Sequence, residues 1–202
     1  MLVKDLGLVD FQPTYEKMQK FTAQRDENTV DELWLLEHNP VFTQGLNGKA
    51  NHIFDTQHIP VVEADRGGQI TYHGPGQLIA YTLIDLKRRK IGVRHMVSCL
   101  EQSVIHFLHT FDIHAQARSD APGVYVDGCK IASLGLRVKR GCCYHGLSLN
   151  IDMDLTPFSY INPCGLQDME MIDLKSLGIP LTMEEAKQQF SVIFDEKIRK
   201  RE

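Results

Sequence analysis

The chain has 202 residues, 43% hydrophobic and 24% charged, with 22 Lys and Arg against 26 Asp and Glu for a formal charge of −4. That is the make-up of an ordinary globular domain able to bury its own core. It excludes a disordered or collagen-like chain, a coiled coil and a globally basic nucleic-acid binder. No stretch approaches the ~18 apolar residues of a membrane span, because the longest, around Leu78 to Leu86, is broken by Thr82 and Asp85. The opening MLVKDLGLVD lacks the basic-then-apolar layout of a signal peptide. The cysteines are Cys99, Cys129, Cys142, Cys143 and Cys164. An odd number without an export signal argues against a disulfide framework and for a cytoplasmic protein with reduced thiols.

In chain order, Pro13 and Thr14 precede Tyr15, Met18, Phe21 and Arg25 at helical spacing. Asp31 to Glu37 reads as a strand ending before Asn39-Pro40, and Pro60 to Glu63 is a short apolar run. The glycine-rich RGGQITYHGPGQ (66–77) then leads into LIAYTLIDL, a β-rich run. Met96, Leu100, Val104, Phe107, Leu108 and Phe111 predict a helix from about Val93 to Phe111. Asp127-Gly128 between GVYV and KIASLGLRV is a two-residue hairpin signal, since both turn positions need positive φ. Lys139-Arg140-Gly141 turns the chain again into YHGLSLNI (144–151), so three strands should form an antiparallel meander. Thr182 and Glu185 fit a capping box for a final helix with Met183, Ala186, Phe190, Ile193 and Phe194 on its apolar face. With no repeat or linker, a single domain over 1–202 is expected. Its class is α/β (α+β), a mixed sheet flanked by helices.

Most common chemistries fail on spacing. There is no C-x-x-C or H-E-x-x-H; His106 and His109 fit an exposed helix face, and Cys142, Cys143 and His145 match no common zinc pattern, so no metal is expected. Neither nucleotide-binding glycine motif occurs. Gly146-Leu147-Ser148-Leu149-Asn150 fails the G-x-S-x-G test at its last position. Three features remain. The glycines of 66–77 leave bare backbone that a ligand can approach. Lys130, in phase with Ala132, Leu134, Leu136 and Val138, is a lysine on an otherwise apolar strand face, where it either loses its hydration or snorkels to water. Cys164 in Asn162-Pro163-Cys164-Gly165 is placed on a loop for exposure rather than packing.

RGGQITYHGPGQ, CKIASLGLRV (129–138), YHGLSLNI and INPCG (161–165) occur in one order and resemble the lipoyl(octanoyl) transferases, with DELWLLEHNPVFTQG near the start extending the similarity over nearly the whole chain. The resemblance implies the biotin/lipoate protein-ligase type of fold. The implied reaction moves an octanoyl or lipoyl group from acyl carrier protein to a lysine of a lipoyl domain or of the glycine-cleavage H protein. It implies Cys164 as the acyl-accepting thiol and Lys130 as the lysine that tunes it. Substrate contacts fall on Arg66, Gly67, Gly68, Gln69, Ile70, Thr71, Tyr72 and His73, on Ser133, Leu134 and Gly135, and on Gly146, Leu147 and Ser148. No cofactor and no ATP are implied, since thioester-to-thioester exchange followed by amide formation runs downhill.

One conflict stands. Alternation puts Lys130 on the face opposite Ser133, Gly135 and Arg137, so contacts from 133–135 are backbone contacts or a bulge breaks the phase. Acidic partners are expected, and Lys87-Arg88-Arg89-Lys90 with Arg94, or Lys139-Arg140, could steer them. The competing readings are an ATP-dependent lipoate–protein ligase, which needs no nucleophilic cysteine, and a non-catalytic acyl- or carrier-binding protein, which needs no Lys130–Cys164 pair.

Overall fold

The structure, a computed structural model, describes residues 1–162 and 169–199. The elements in chain order are β1 (Leu2–Val9), α1 (Phe11–Gln24), β2 (Glu32–His38), β3 (Val41–Gln44), β4 (Val61–Glu63), β5 (Ile70–His73), β6 (Gln77–Asp85), α2 (Leu86–Arg89), α3 (Val93–His109), β7 (Gln116–Ala117), β8 (Gly123–Val126), β9 (Cys129–Lys139), β10 (Cys142–Asn150) and α4 (Met183–Arg199). Seven strands form a mixed sheet in the order β1-β2-β6-β10-β9-β8-β7, and β4-β3-β5 form a smaller one.

Central β6 explains the layering. It is apolar at nearly every position because both of its faces are covered. Leu78, Ala80 and Ile84 join Met96, Leu100 and Phe107 of α3 and Phe190 and Phe194 of α4 in one core. Ile79, Tyr81 and Leu83 point the other way, to Phe11, Tyr15 and Met18 of α1. The meander β8-β9-β10 is antiparallel as expected. Its two turns hold Asp127 and Gly128 at φ 48° and 87°, then Arg140 and Gly141 at 54° and 85°. At the start of α4 the Thr182 backbone N–H donates to Glu185 Oε2 (3.0 Å) and the Glu185 N–H to Thr182 Oγ1 (3.3 Å), a reciprocal capping box. Among the described residues no helix is long and apolar enough to cross a membrane.

The strand β9 departs from simple alternation. Ala132 pairs with Val124, but Lys130 pairs with the very next residue of β8, Tyr125. Ile131 is therefore the extra residue of a β-bulge, which re-aims what precedes it. Ile131 stays in the core with Ala132, and Lys130 is transferred to the face of Ser133 and Gly135. The expectation that Lys130 shares a face with Ala132 and Leu134 is thereby corrected, and the conflict in the sequence disappears.

Candidate active site

A narrow pocket lies between the α1 side of the large sheet and the segment 66–73. It is bordered by Arg66, Gly68, Gln69, Ile70, Thr71 and His73, by Lys130, Ser133, Leu134 and Gly135, and by Gly146, Leu147 and Ser148; Phe11, Ile79, Tyr81 and His145 complete it. The space measures about 540 Å³ counted out to the mouth. Three segments far apart in sequence thus meet at one place. Two expected residues do not border it. Gly67 is turned toward a neighbouring groove, its N–H donating to the Leu136 carbonyl (3.0 Å). Tyr72 packs its ring on Phe42 and Phe158, since it lies on the opposite face of β5 from Thr71 and His73. Cys164 and the rest of 163–168 lie outside the described residues.

Lys130 is 1% exposed. Its backbone is clamped from both sides: its N–H donates to the Glu170 carbonyl (2.8 Å) and its carbonyl accepts from Ile172 N–H (3.1 Å). Its Nζ sits 5.5 Å from the centre of the Tyr125 ring, within reach of a cation–π contact. Gly135 sets the width of the pocket beside it. A Cβ there would meet the Gly67 carbonyl oxygen at 2.9 Å and Arg66 Cδ at 3.2 Å, so only glycine lets the 66–69 loop lie on β9.

The loop is held by a buried hydrogen-bond chain. Asn150 Nδ2 donates to the Ile172 carbonyl (2.9 Å), and Gln77 Nε2 donates to Asn150 Oδ1 (2.9 Å). His73 Nδ1 donates to Gln77 Oε1 (2.7 Å), while its Nε2 faces Thr43 Oγ1 (3.2 Å). Thr43 Oγ1 in turn accepts from Arg66 Nε (3.2 Å). Every member except the terminal groups both gives and receives, so the chain fixes Arg66 relative to the strand beside Lys130. Burial, with the neighbouring His38 and Arg66, pushes His73 down to about 3. His73 is a neutral strut, not a base that could activate a thiol.

Four residues of the pocket were not legible as site residues. Phe11, Ile79 and Tyr81 come from distant elements, and their apolar patterns signalled only core. His145 follows strand alternation with Leu147 and Leu149, but at φ 59° it turns to the α1 side, where its ring lies 5.3 Å from Tyr15 and 6.0 Å from Tyr81. Among the described residues no group of His, Cys, Asp or Glu converges as metal ligands would. The basic stretch 87–90 has an internal partner: Arg88 and Arg89, with Arg25, all bond the buried carboxylate of Asp31.

Comparison with known proteins agrees with this architecture. The lipoyl protein ligase A/B catalytic domain family matches residues 13–195. The octanoyltransferase of Vibrio atlanticus is 56% identical over 189 residues, covering 94% of this chain and 86% of its own. That of Nitrosococcus oceani is 57% identical over 189 residues, covering 94% and 84%. A bi-partite lipoate protein ligase of Thermoplasma acidophilum shares the fold at a TM-score of 0.70 and 14% identity, covering 95% of this chain and 83% of that one. The chain belongs to the lipoyl protein ligase A/B catalytic-domain family and, within it, to the octanoyltransferases.

Proposed function

We propose that the chain is one catalytic domain, residues 1–202, that moves an octanoyl group from acyl carrier protein to a lysine of a lipoyl domain or of the glycine-cleavage H protein through a thioester on Cys164. The observation that carries this reading is Lys130, buried at the wall of a narrow, largely apolar pocket floored by bare glycine backbone, in a chain more than half identical to octanoyltransferases.

A free thiol of pKa about 8.5 is only ~3% thiolate at pH 7. An ammonium on Lys130 favours the thiolate. In the proposed cycle thiolate Cys164 attacks the octanoyl carbonyl, the bond to the carrier's sulfur breaks, and the departing thiolate takes a proton from Lys130. The acceptor lysine then attacks as a neutral amine, the bond to Cys164 breaks, and the proton lost by the new amide returns to Lys130. Thiolate and ammonium are both restored. Backbone N–H groups of the glycine-rich walls supply oxyanion stabilisation. Three of the other thiols support the assignment by their unfitness. Burial pushes Cys143 up to about 11, and burial also raises Cys129 and Cys142. The test is replacement of each cysteine by alanine: Cys164→Ala should abolish transfer with the fold intact, whereas Cys99, Cys129, Cys142 and Cys143 variants keep most of it. Turnover by Cys164→Ala would overturn the covalent route.

A further inference from the structure

Among the described residues, the pocket is bordered by a buried ring nitrogen that the proposed chemistry does not use. His145 is 1% exposed and borders the pocket. Its Nε2 is 3.0 Å from Asp65 Oδ1. Asp65 also accepts a hydrogen bond from the Tyr144 hydroxyl on its other oxygen, and its backbone N–H is held by the Tyr15 hydroxyl oxygen (3.1 Å). A carboxylate with these donors fixes the proton of a neutral imidazole on Nε2 and leaves Nδ1 as a bare acceptor. That Nδ1 is buried and has no hydrogen-bond partner among the described residues.

Position decides what it serves. His145 pairs with Leu136 on β9, and the end of the Lys130 side chain lies beside Gly123, which pairs with Ser133, so the ammonium and His145 stand three ladder steps apart, or roughly 10 Å at about 3.3 Å per residue. This is too far for His145 to share a proton with a thioester beside Lys130. An extended eight-carbon chain with its carbonyl near Lys130 and its tail along Gly135 and Gly146 ends close to His145, Tyr81 and Phe11.

Resting on the transferase reading above, we propose that His145 tunes the far end of the acyl pocket to accept chains carrying a hydrogen-bond donor, a hydroxyl or a thiol, on their distal half. In a wholly apolar pocket such a group would be buried unpaired and rejected. Here Nδ1 receives its hydrogen, and Asp65 holds the ring to its task. A distal carbonyl, an acceptor only, faces the same lone pair and gains nothing.

The experiment compares carrier-protein thioesters of octanoate bearing a hydroxyl or an oxo group at C6 or C7, with octanoyl itself in the same assay. The two analogues at each position are nearly the same size and differ in donor capacity. In the wild type, kcat/KM for the hydroxy chain should exceed that for the oxo chain by about tenfold at one or both positions. In His145→Gly, which takes positive φ without strain and carries no side-chain acceptor, the ratio should collapse toward one. Because the readout is a ratio, a general loss of activity in the variant does not obscure it, and the wild-type ratio decides even if the variant fails to fold. A wild-type ratio near one at both positions, as a water held on Nδ1 would give, overturns the inference, as does a ratio unchanged in His145→Gly. Failure to transfer octanoyl itself would overturn the transferase reading and this inference with it.

Discussion

A methyl group added at Gly123 would lie 3.2 Å from Lys130 Nζ and 2.7 Å from the Ala132 carbonyl oxygen, and closer still to Lys130 Cε. Gly123 stands at φ 152°, pairs with Ser133 and backs the lysine against the Tyr125 ring. It is the residue whose lack of a side chain gives Lys130 its place.

Gly123→Ala should therefore act on catalysis and stability together. Overpacking costs about 1–3 kcal/mol, which for a domain of this size lowers the melting temperature by about 3–10 °C. Displacing Lys130 by an ångström should cut transfer about a hundredfold. Melting curves and steady-state rates check both. A variant that melts lower with unchanged turnover would show that Lys130 needs no such backing.

Asp31 joins Arg25, Arg88 and Arg89 and accepts the Asp85 N–H (2.9 Å). Asp31→Ala leaves these guanidinium groups without their shared anion and should cost about 3–5 kcal/mol. Burial opposes the charge of Asp31, but the Asp85 N–H and the guanidinium groups of Arg89 and Arg25 outweigh it and hold the carboxyl below its ordinary value. Its contribution is thus complete above about pH 4 and is lost as pH falls through the lowered value. Chemical denaturation at neutral pH tests the first statement. Stability within about 0.5 kcal/mol of wild type would make the cluster a surface feature.

The histidines add an earlier acid sensitivity. Burial lowers His38 to about 4 and His73 to about 3. Both are neutral when folded, while the unfolded chain takes up protons below about pH 6.5. Stability should decline from that pH downward by about 1.4 kcal/mol per pH unit for each histidine. His73→Gln should remove one share of the slope. Denaturation midpoints between pH 7 and pH 4.5 measure it, and a flat wild-type profile over that range would contradict the neutral assignment.

Lys130→Met keeps most of the bulk and removes the charge. Alkylation of Cys164 in the wild type should proceed well below pH 8, and in the variant its midpoint should move toward about 8.5. Superimposable profiles with a lowered melting curve would make Lys130 purely structural. His73 is no substitute activator, because it stays neutral across this range.

Local signals carried much of the fold. The hairpin turns, the capping box and the periodic helices each depend on residues within a few positions of one another, so the sequence displays them. Edge strand β1 escaped notice because Lys4, Asp5 and Gly7 interrupt its pattern, and it is stabilised by parallel pairing with β2 rather than by its own composition. The conflict around Lys130 admits a bulge without placing it at Ile131, and the positive φ of His145 carries no signal in the sequence, for another reason. Each breaks the alternation from which side-chain direction is inferred, and each is fixed by partners across the sheet. The two departures are what turn Lys130 and His145 toward the pocket. Phe11, Ile79 and Tyr81 had no local signature, because only the packing of α1 on β6 brings them there.

The most direct test of the central claim is the intact mass of the protein after brief incubation with octanoyl carrier protein and no acceptor, followed by peptide mapping. The account predicts a gain of one octanoyl group, carried on Cys164 as a hydroxylamine-labile thioester, discharged when a lipoyl domain is added and absent from Cys164→Ala. Transfer to the acceptor with no adduct on Cys164, or with an adduct on another residue that Cys164→Ala does not abolish, would contradict it.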